Sequence, residues 1–106
     1  MVKSVKKPKS FGIWGNTDKP RFWELLDPIL AWANEAKLKP FITTRIQEQM
    51  ENDSPHSCAV IESAEDFYKI DFLLTLGGDG TMLSAARAVG HRKTSILGIH
   101  LGELGF

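Results

Sequence analysis

Leu73-Leu74-Thr75-Leu76-Gly77-Gly78-Asp79-Gly80-Thr81-Met82-Leu83 is the stretch that decides how this chain is read. Residues 72–76 form an apolar run with the length and bounding turn signal of a buried strand. Met82, Leu83, Ala85, Ala86 and Val89 then recur at helical spacing, and Gly90 is a natural stop. Between strand and helix, three glycines in four residues surround one carboxylate. Glycine tolerates φ > 0 and close backbone approach, so the successive amides are expected to turn inward as an anion-binding nest. The first turn of the helix adds its own unpaired N–H groups and the positive end of its dipole. The expectation is a phosphate cradle built from Gly77, Gly78, Gly80 and Thr81, with Asp79 held inside it. The plainer reading is a strand-to-helix turn in which Asp79 caps the helix. No Lys-Ser/Thr closes a P-loop here, and no third glycine stands where the GxGxxG fingerprint has it.

Outward from that stretch the chain alternates strands and helices. Residues 11–14 read as a first strand, running into Gly15-Asn16-Thr17-Asp18-Lys19-Pro20. Asp18 and Pro20 signal a helix start. Phe22, Leu25, Leu26, Ile29, Leu30 and Ala33 give that helix one apolar face. Pro28 falls inside the pattern and is expected to kink or break the helix near residues 24–27. Trp23 and Trp32 lie off the strict stripe and are expected to widen the packed face. Residues 41–44 read as a second strand entered from Pro40, and residues 45–51 as a short helix. Asn52-Asp53-Ser54-Pro55 is turn chemistry. Ser63-Ala64-Glu65-Asp66 is a capping-type start to a short helix through Tyr68. Residues 96–99 form the last strand. Such alternation argues for an α/β fold with a parallel sheet and right-handed crossovers. Ligands in these sheets bind beyond the carboxyl ends of the strands, the edge at which GNTDKP, GGDGT and HLGELGF all leave.

At 106 residues the chain has the length of one domain with a modest core. Thirteen basic and thirteen acidic residues cancel, which removes the global field expected of a nucleic-acid or membrane binder. Residues 1–10 carry four lysines without the apolar segment of a secretory signal, and read as a flexible basic arm. No apolar stretch approaches the roughly 18 residues that span a bilayer. The single cysteine, Cys58, cannot staple the fold and suits a reducing cytoplasm. It reads as an ordinary small buried residue rather than a nucleophile. His91-Arg92-Lys93 falls at a helix end, where cations suit the dipole; a phosphate clamp is the alternative. No residue stands out as a metal ligand.

GGDGT resembles the signature shared by NAD kinases, diacylglycerol and sphingosine kinases, and phosphofructokinases. A second motif separates them. Ser95-Ile96-Leu97-Gly98-Ile99-His100-Leu101-Gly102-Glu103-Leu104-Gly105-Phe106 is similar to the NAD kinase pattern of a short strand followed by GxxxGxLGF. The Pro-Leu-Gly-Thr-Gly-Asn-Asp type of loop found in the lipid kinases does not occur. The additional amino-terminal glycine-rich ATP loop of phosphofructokinases is absent as well. On these residues the chain resembles the amino-terminal domain of NAD kinases over nearly its whole length.

The resemblance implies a Rossmann-like domain, residues 1–106, of a two-domain enzyme whose mostly β carboxy-terminal domain is missing from this chain. It implies transfer of the γ-phosphoryl of ATP, with Mg²⁺ or another divalent metal, to the 2′-hydroxyl of the adenosine ribose of NAD. Asp79 would be the catalytic base; Asp79, Gly80, His100 and Phe106 would contact NAD, the Phe106 ring stacking on adenine. Gly77, Gly78, Gly80 and Thr81 would meet phosphate. His100 stands where many relatives have asparagine, and Glu103 where many have a basic or neutral polar residue. Homodimers or homotetramers are implied for the full-length protein, in the cytoplasm, with NAD and ATP as small-molecule partners. The isolated 106-residue chain is expected to be inactive. A non-catalytic nucleotide-binding module and a diacylglycerol-type kinase are the alternatives.

Overall fold

A computed structural model of the chain describes residues 7–50 and 57–101. Five strands alternate with helices: β1 (Ser10–Gly15), α1 (Pro20–Ala36), β2 (Lys39–Thr43), α2 (Thr44–Gln49), β3 (Ala59–Ile61), a 3₁₀-helix (Ala64–Lys69), β4 (Phe72–Gly77), α3 (Asp79–Val89) and β5 (Ser95–His100). Every pairing is parallel and the strand order is β3-β2-β1-β4-β5. Chain order therefore reverses direction at β1, where β2 lies on one side and β4 on the other. Next to such a switch point the loops leaving the strands diverge and open a crevice.

The core lies on both faces of the sheet. On one face Phe22, Leu26, Leu30 and Ala33 of α1 and Ile46 of α2 pack on Phe11, Ile13, Ile42 and Leu76. On the other, Ala85 and Val89 of α3 and Phe67 of the 3₁₀-helix pack on Phe41, Ile61 and Leu73. The strands of the middle sheet, buried on both sides, read as near-continuous apolar runs for that reason.

Several expectations need correction. Pro28 does not break α1, which runs unbroken for 17 residues with the proline inside it. Pro28 is exposed, and four buried residues spaced around it hold the helix on the sheet. Burial of those side chains outweighs one missing backbone hydrogen bond. The residue before the helix is Lys19, not Asp18; Pro20 occupies the first turn. At its other end Lys37 adopts the left-handed conformation (φ 61°), and Leu38 N–H donates to the Ala33 carbonyl at 2.8 Å. β1 begins at Ser10, which is buried, so the strand takes in the last residue assigned to the basic arm. The Asp71 carboxylate fixes this entry by accepting from the Lys9 and Ser10 amides at 2.7 and 3.1 Å. β3 had no strand signal in the sequence; its three residues become a strand only by pairing with β2. The capping-type start holds: Ser63 and Asp66 form a capping box, and the helix it opens is 3₁₀. The turn at residues 52–55 lies outside the described residues.

Strand β5 is the edge next to β4. Leu97 and Ile99 pair with Leu74 and Leu76, so they point to the face that α1 covers further in. Both are exposed there, at 54% and 38%.

Candidate functional site

Three strands end together on one rim. Gly15 of β1 pairs with Leu76 of β4, and Gly77 of β4 pairs with His100 of β5. The Asn16 amide donates to the Leu76 carbonyl at 2.9 Å and the Leu101 amide to the Gly77 carbonyl at 2.8 Å, which ties the outgoing loops to the end of β4. The β1–α1 loop is further held through Thr17. Its hydroxyl accepts from Gln49 Nε2 and its carbonyl from Trp23 Nε1, both at 3.0 Å. The amide of Asp18 is taken up by Asn16 Oδ1 at 3.0 Å. The β1–α1 loop, the GGDGT turn and the start of the third loop, His100-Leu101, all leave at the edge expected from sequence spacing.

The GGDGT turn is built differently from the nest expected of it. Among the described residues Gly90 is the one glycine with a left-handed φ. Gly78 is extended (φ −112°, ψ −158°) and stands immediately before α3. Asp79, Gly80 and Thr81 are already helical. Gly77 is needed for close approach: a Cβ there would run into the Thr81 side chain, with Thr81 Cγ2 2.9 Å away. Gly80, by contrast, has no atom within 4 Å of where its Cβ would be apart from its own stretch of the helix, so its missing side chain leaves open space on the rim.

Anion-binding groups are still present, supplied by the helix. Its first backbone bond runs from the Met82 amide to the Gly78 carbonyl at 3.1 Å, so the amides of Asp79, Gly80 and Thr81 have no intrahelical partner. Asp79, exposed on the first turn, is also where the dipole favours an anion. It does not stand before the helix as a cap would, and the plainer capping reading falls away.

A groove of about 120 Å³ opens beside this turn. Gly77, Gly78 and Asp79 form one wall, and Gly98, Ile99 and His100 of β5 the other. Thr75 and Met82 complete its floor. His100 reaches over the glycines, its Nε2 3.7 Å from where a Cβ on Gly78 would sit. Asp79, His100, Gly77 and Gly78 are thus brought together at the groove, Gly80 lies beside it without lining it, and Thr81 turns its side chain toward Gly77. Phe106 and Glu103 lie outside the described residues. Of Met82, Leu83, Ala85, Ala86 and Val89, which recur at helical spacing, Ala85 and Val89 alone are buried, and Met82 is 36% exposed in the groove. Its place was legible: three residues after Asp79 is the same face of a helix.

Other candidates separate from the site. His91-Arg92-Lys93 follows the far end of α3, an 11-residue helix and so roughly 16 Å of rise from Asp79. There Arg92 donates to the Val89 carbonyl at 3.2 Å and lies over the Tyr68 ring at 5.5 Å, which sets aside the phosphate clamp. Cys58 is half-buried, and burial pushes its thiol above the ordinary value, away from the thiolate a nucleophile needs. Trp23 packs against the core and donates to Thr17, but Trp32 is half exposed and meets Phe11 edge-on at 5.8 Å. Among the described residues no three His, Cys, Asp or Glu side chains gather to hold a metal ion. No described helix is long and apolar enough to cross a membrane.

Comparison with known proteins agrees with this fold. Residues 11–106 match the model of the ATP-NAD kinase N-terminal domain. The NAD kinase of Geotalea daltonii is 31% identical over 99 residues, which cover 92% of this chain and 33% of the relative. That of Thermoanaerobacter pseudethanolicus is 31% identical over 98 residues, again 92% of this chain and 33% of the relative. The chain thus spans about a third of the length of these relatives. Among solved structures, yeast NADH kinase in complex with NADH superposes with a TM-score of 0.79 at 21% identity, over 95% of this chain and 34% of the yeast chain. The yeast likeness shows the shared Rossmann-like fold, and the family match covers all but the first ten residues. This chain belongs to the ATP-NAD kinase family and corresponds to its N-terminal domain.

Proposed function

We propose that the protein containing this domain is an NAD kinase that moves the γ-phosphoryl of ATP to the 2′-hydroxyl of the adenosine ribose of NAD. The observation that carries this reading is Asp79. It is an exposed carboxylate on the first turn of α3, at the wall of a groove on the ligand-binding rim, in a chain of the ATP-NAD kinase family. In the reaction the ribose oxygen forms a bond to the γ-phosphorus as the bond to ADP breaks, and the hydroxyl proton passes to Asp79. As an acceptor-only carboxylate, Asp79 also orients the ribose hydroxyls it faces. The amides of Gly80 and Thr81, without an intrahelical partner, offer donors to phosphate, and Gly77 and Gly78 let the nucleotide approach the backbone. His100 hydrogen-bonds the NAD side of the groove.

A divalent cation fits as a companion of ATP. Among the described residues one carboxylate, Asp79, lines the groove, too few for a resident site. Mg²⁺ held by triphosphate oxygens and water needs no more than one or two carboxylates, and neutralises phosphate charge when bound. Phe106, the last residue of the chain, is proposed to stack on adenine. NADH is proposed as a second acceptor, since the yeast relative was crystallised with it. The protein is proposed to act in the cytoplasm as a homodimer or homotetramer, without nucleic-acid or membrane partners.

The test is a phosphoryl-transfer assay on the full-length protein with labelled ATP and either NAD or diacylglycerol as acceptor. Label is expected in NADP. Label appearing in lipid alone would overturn the reading in favour of a diacylglycerol-type kinase, and binding of NAD without transfer would leave a nucleotide-binding module.

A further inference from the structure

Met82 is three residues after Asp79, so both side chains leave the same face of α3, toward β5. Opposite it stands Gly98, the middle of β5 and the register partner of Thr75. The Met82 thioether lies flat in the space that a side chain on Gly98 would take. A Cβ there would meet Met82 Cε closer than real Cβ atoms approach, with Met82 Sδ at 3.9 Å and Thr75 Oγ1 at 3.2 Å. One side of Met82 therefore seals against β5 while the other remains open, 36% exposed, to the groove that Asp79 and His100 border. The groove has a charged end, the Asp79 carboxylate, and, one helical turn away, a floor made of the Met82 thioether and Thr75. A ring whose hydroxyl meets Asp79 has the Met82 thioether within reach of its face.

We propose that Met82, seated in the gap left by Gly98, is a specificity-determining residue: its thioether supports the apolar face of the adenosine ribose whose hydroxyl Asp79 receives. This rests on the NAD kinase reading and adds a residue to it. A polarisable, unbranched side chain suits the task because it adapts to a sugar ring without demanding a hydrogen bond. The absence of a Cβ at position 98 sets how deep the thioether lies. Any larger residue there lifts Met82 into the groove and shortens the space for the ring.

The experiment uses the full-length protein and four variants: Met82→Ala, Met82→Leu, Gly98→Ala and the double change Gly98→Ala/Met82→Ala. NAD binding is measured at equilibrium by calorimetry, and KM and kcat are measured for NAD and ATP separately. Met82→Ala should raise the Kd and KM for NAD about tenfold, as expected for one lost apolar contact. It should move kcat and the KM for ATP less than threefold. Met82→Leu should stay within threefold of the parent. Gly98→Ala should weaken NAD binding at least as much as Met82→Ala, and the double variant should bind NAD better than Gly98→Ala alone, because the displaced group is gone. Unchanged NAD affinity in Met82→Ala, or a double variant no better than Gly98→Ala, overturns the assignment of Met82 and leaves the kinase reading intact. Failure of the parent protein to bind NAD overturns both.

Discussion

Gly77, the last residue of β4, is the register partner of His100, the last residue of β5. One strand end thus leads directly into Asp79 and the other carries the imidazole that faces it across the groove. The distance between the two groups is set by backbone pairing rather than by long side chains. The same Gly77 has no room for a Cβ because the Thr81 side chain fills that space, so the first turn of α3 packs directly on the end of β4.

That crowding predicts the outcome of Gly77→Ala. The new methyl would push Thr81 and the first turn of α3 away from β4. A loss of about 1–3 kcal/mol, typical of overpacking, is expected in urea denaturation. Turnover by the full-length protein should fall with it, since Asp79 moves. A stable, active Gly77→Ala protein would mean that the turn relaxes without displacing the carboxylate.

Asp79→Asn keeps the shape of the side chain and removes the proton acceptor. In the full-length protein kcat should drop by about 10²-fold or more, a larger effect than the weakening of NAD binding that follows because the amide keeps only one of the two acceptor oxygens. Steady-state kinetics with binding calorimetry measures both. Near-normal turnover would show that another group accepts the proton.

The capping box of the 3₁₀-helix gives stability a pH dependence. The Glu62 amide, the Lys69 ammonium at 3.0 Å and the Ser63 amide hold the Asp66 carboxyl below its ordinary value. A folded-state value below the unfolded one contributes stability that is present above roughly pH 4 and is lost as pH falls through the folded value. Thermal melts of the parent and Asp66→Asn should therefore differ most near neutrality and converge in acid. A difference that stays constant down to pH 2 would refute a charge-based role.

Lys37 closes α1 in a left-handed conformation that a β-carbon disfavours by about 1–2 kcal/mol. Lys37→Gly should raise the unfolding free energy by roughly 1 kcal/mol, because glycine is at ease at this C-terminal position. Denaturant titration reads the gain directly. No gain would mean that the lysine stem makes compensating contacts on the helix end.

Leu97 and Ile99 predict how the isolated 106-residue chain behaves. Each apolar side chain that finds cover contributes about 1.5–3 kcal/mol, and these two lie exposed on an edge strand. Self-association is expected in sedimentation over a concentration series, and Leu97→Lys/Ile99→Lys should yield a monomer. Leu101, just past the end of β5, is buried at 4% in the α1 cluster and should not affect association by exposure. A parent chain that stays monomeric at high concentration would show the edge to be innocuous.

The sequence alone determined the kinds of element and their order. Apolar runs of strand length, a helical stripe through Phe22, Leu26, Leu30 and Ala33, and a glycine turn before a helix are local patterns, readable within a few residues of one another. They pointed to the parallel sheet and to Asp79 at its rim, and they carried the family resemblance, although the second strand ends at Thr43 and Thr44 already opens α2. Tertiary structure decided everything that depends on partners far along the chain. Ala59–Ile61 is too short to signal a strand and becomes one by pairing with β2. Pro28 stays helical because the stripe on either side of it is buried against the sheet. Gly77 is needed for the room taken by Thr81 rather than for a left-handed turn. Met82 faces the groove because Gly98, sixteen positions later, leaves it a seat there. Periodicity tells which residues share a face. What covers that face is settled only when distant strands and helices pack, since burial is a property of the assembled surface and not of the segment.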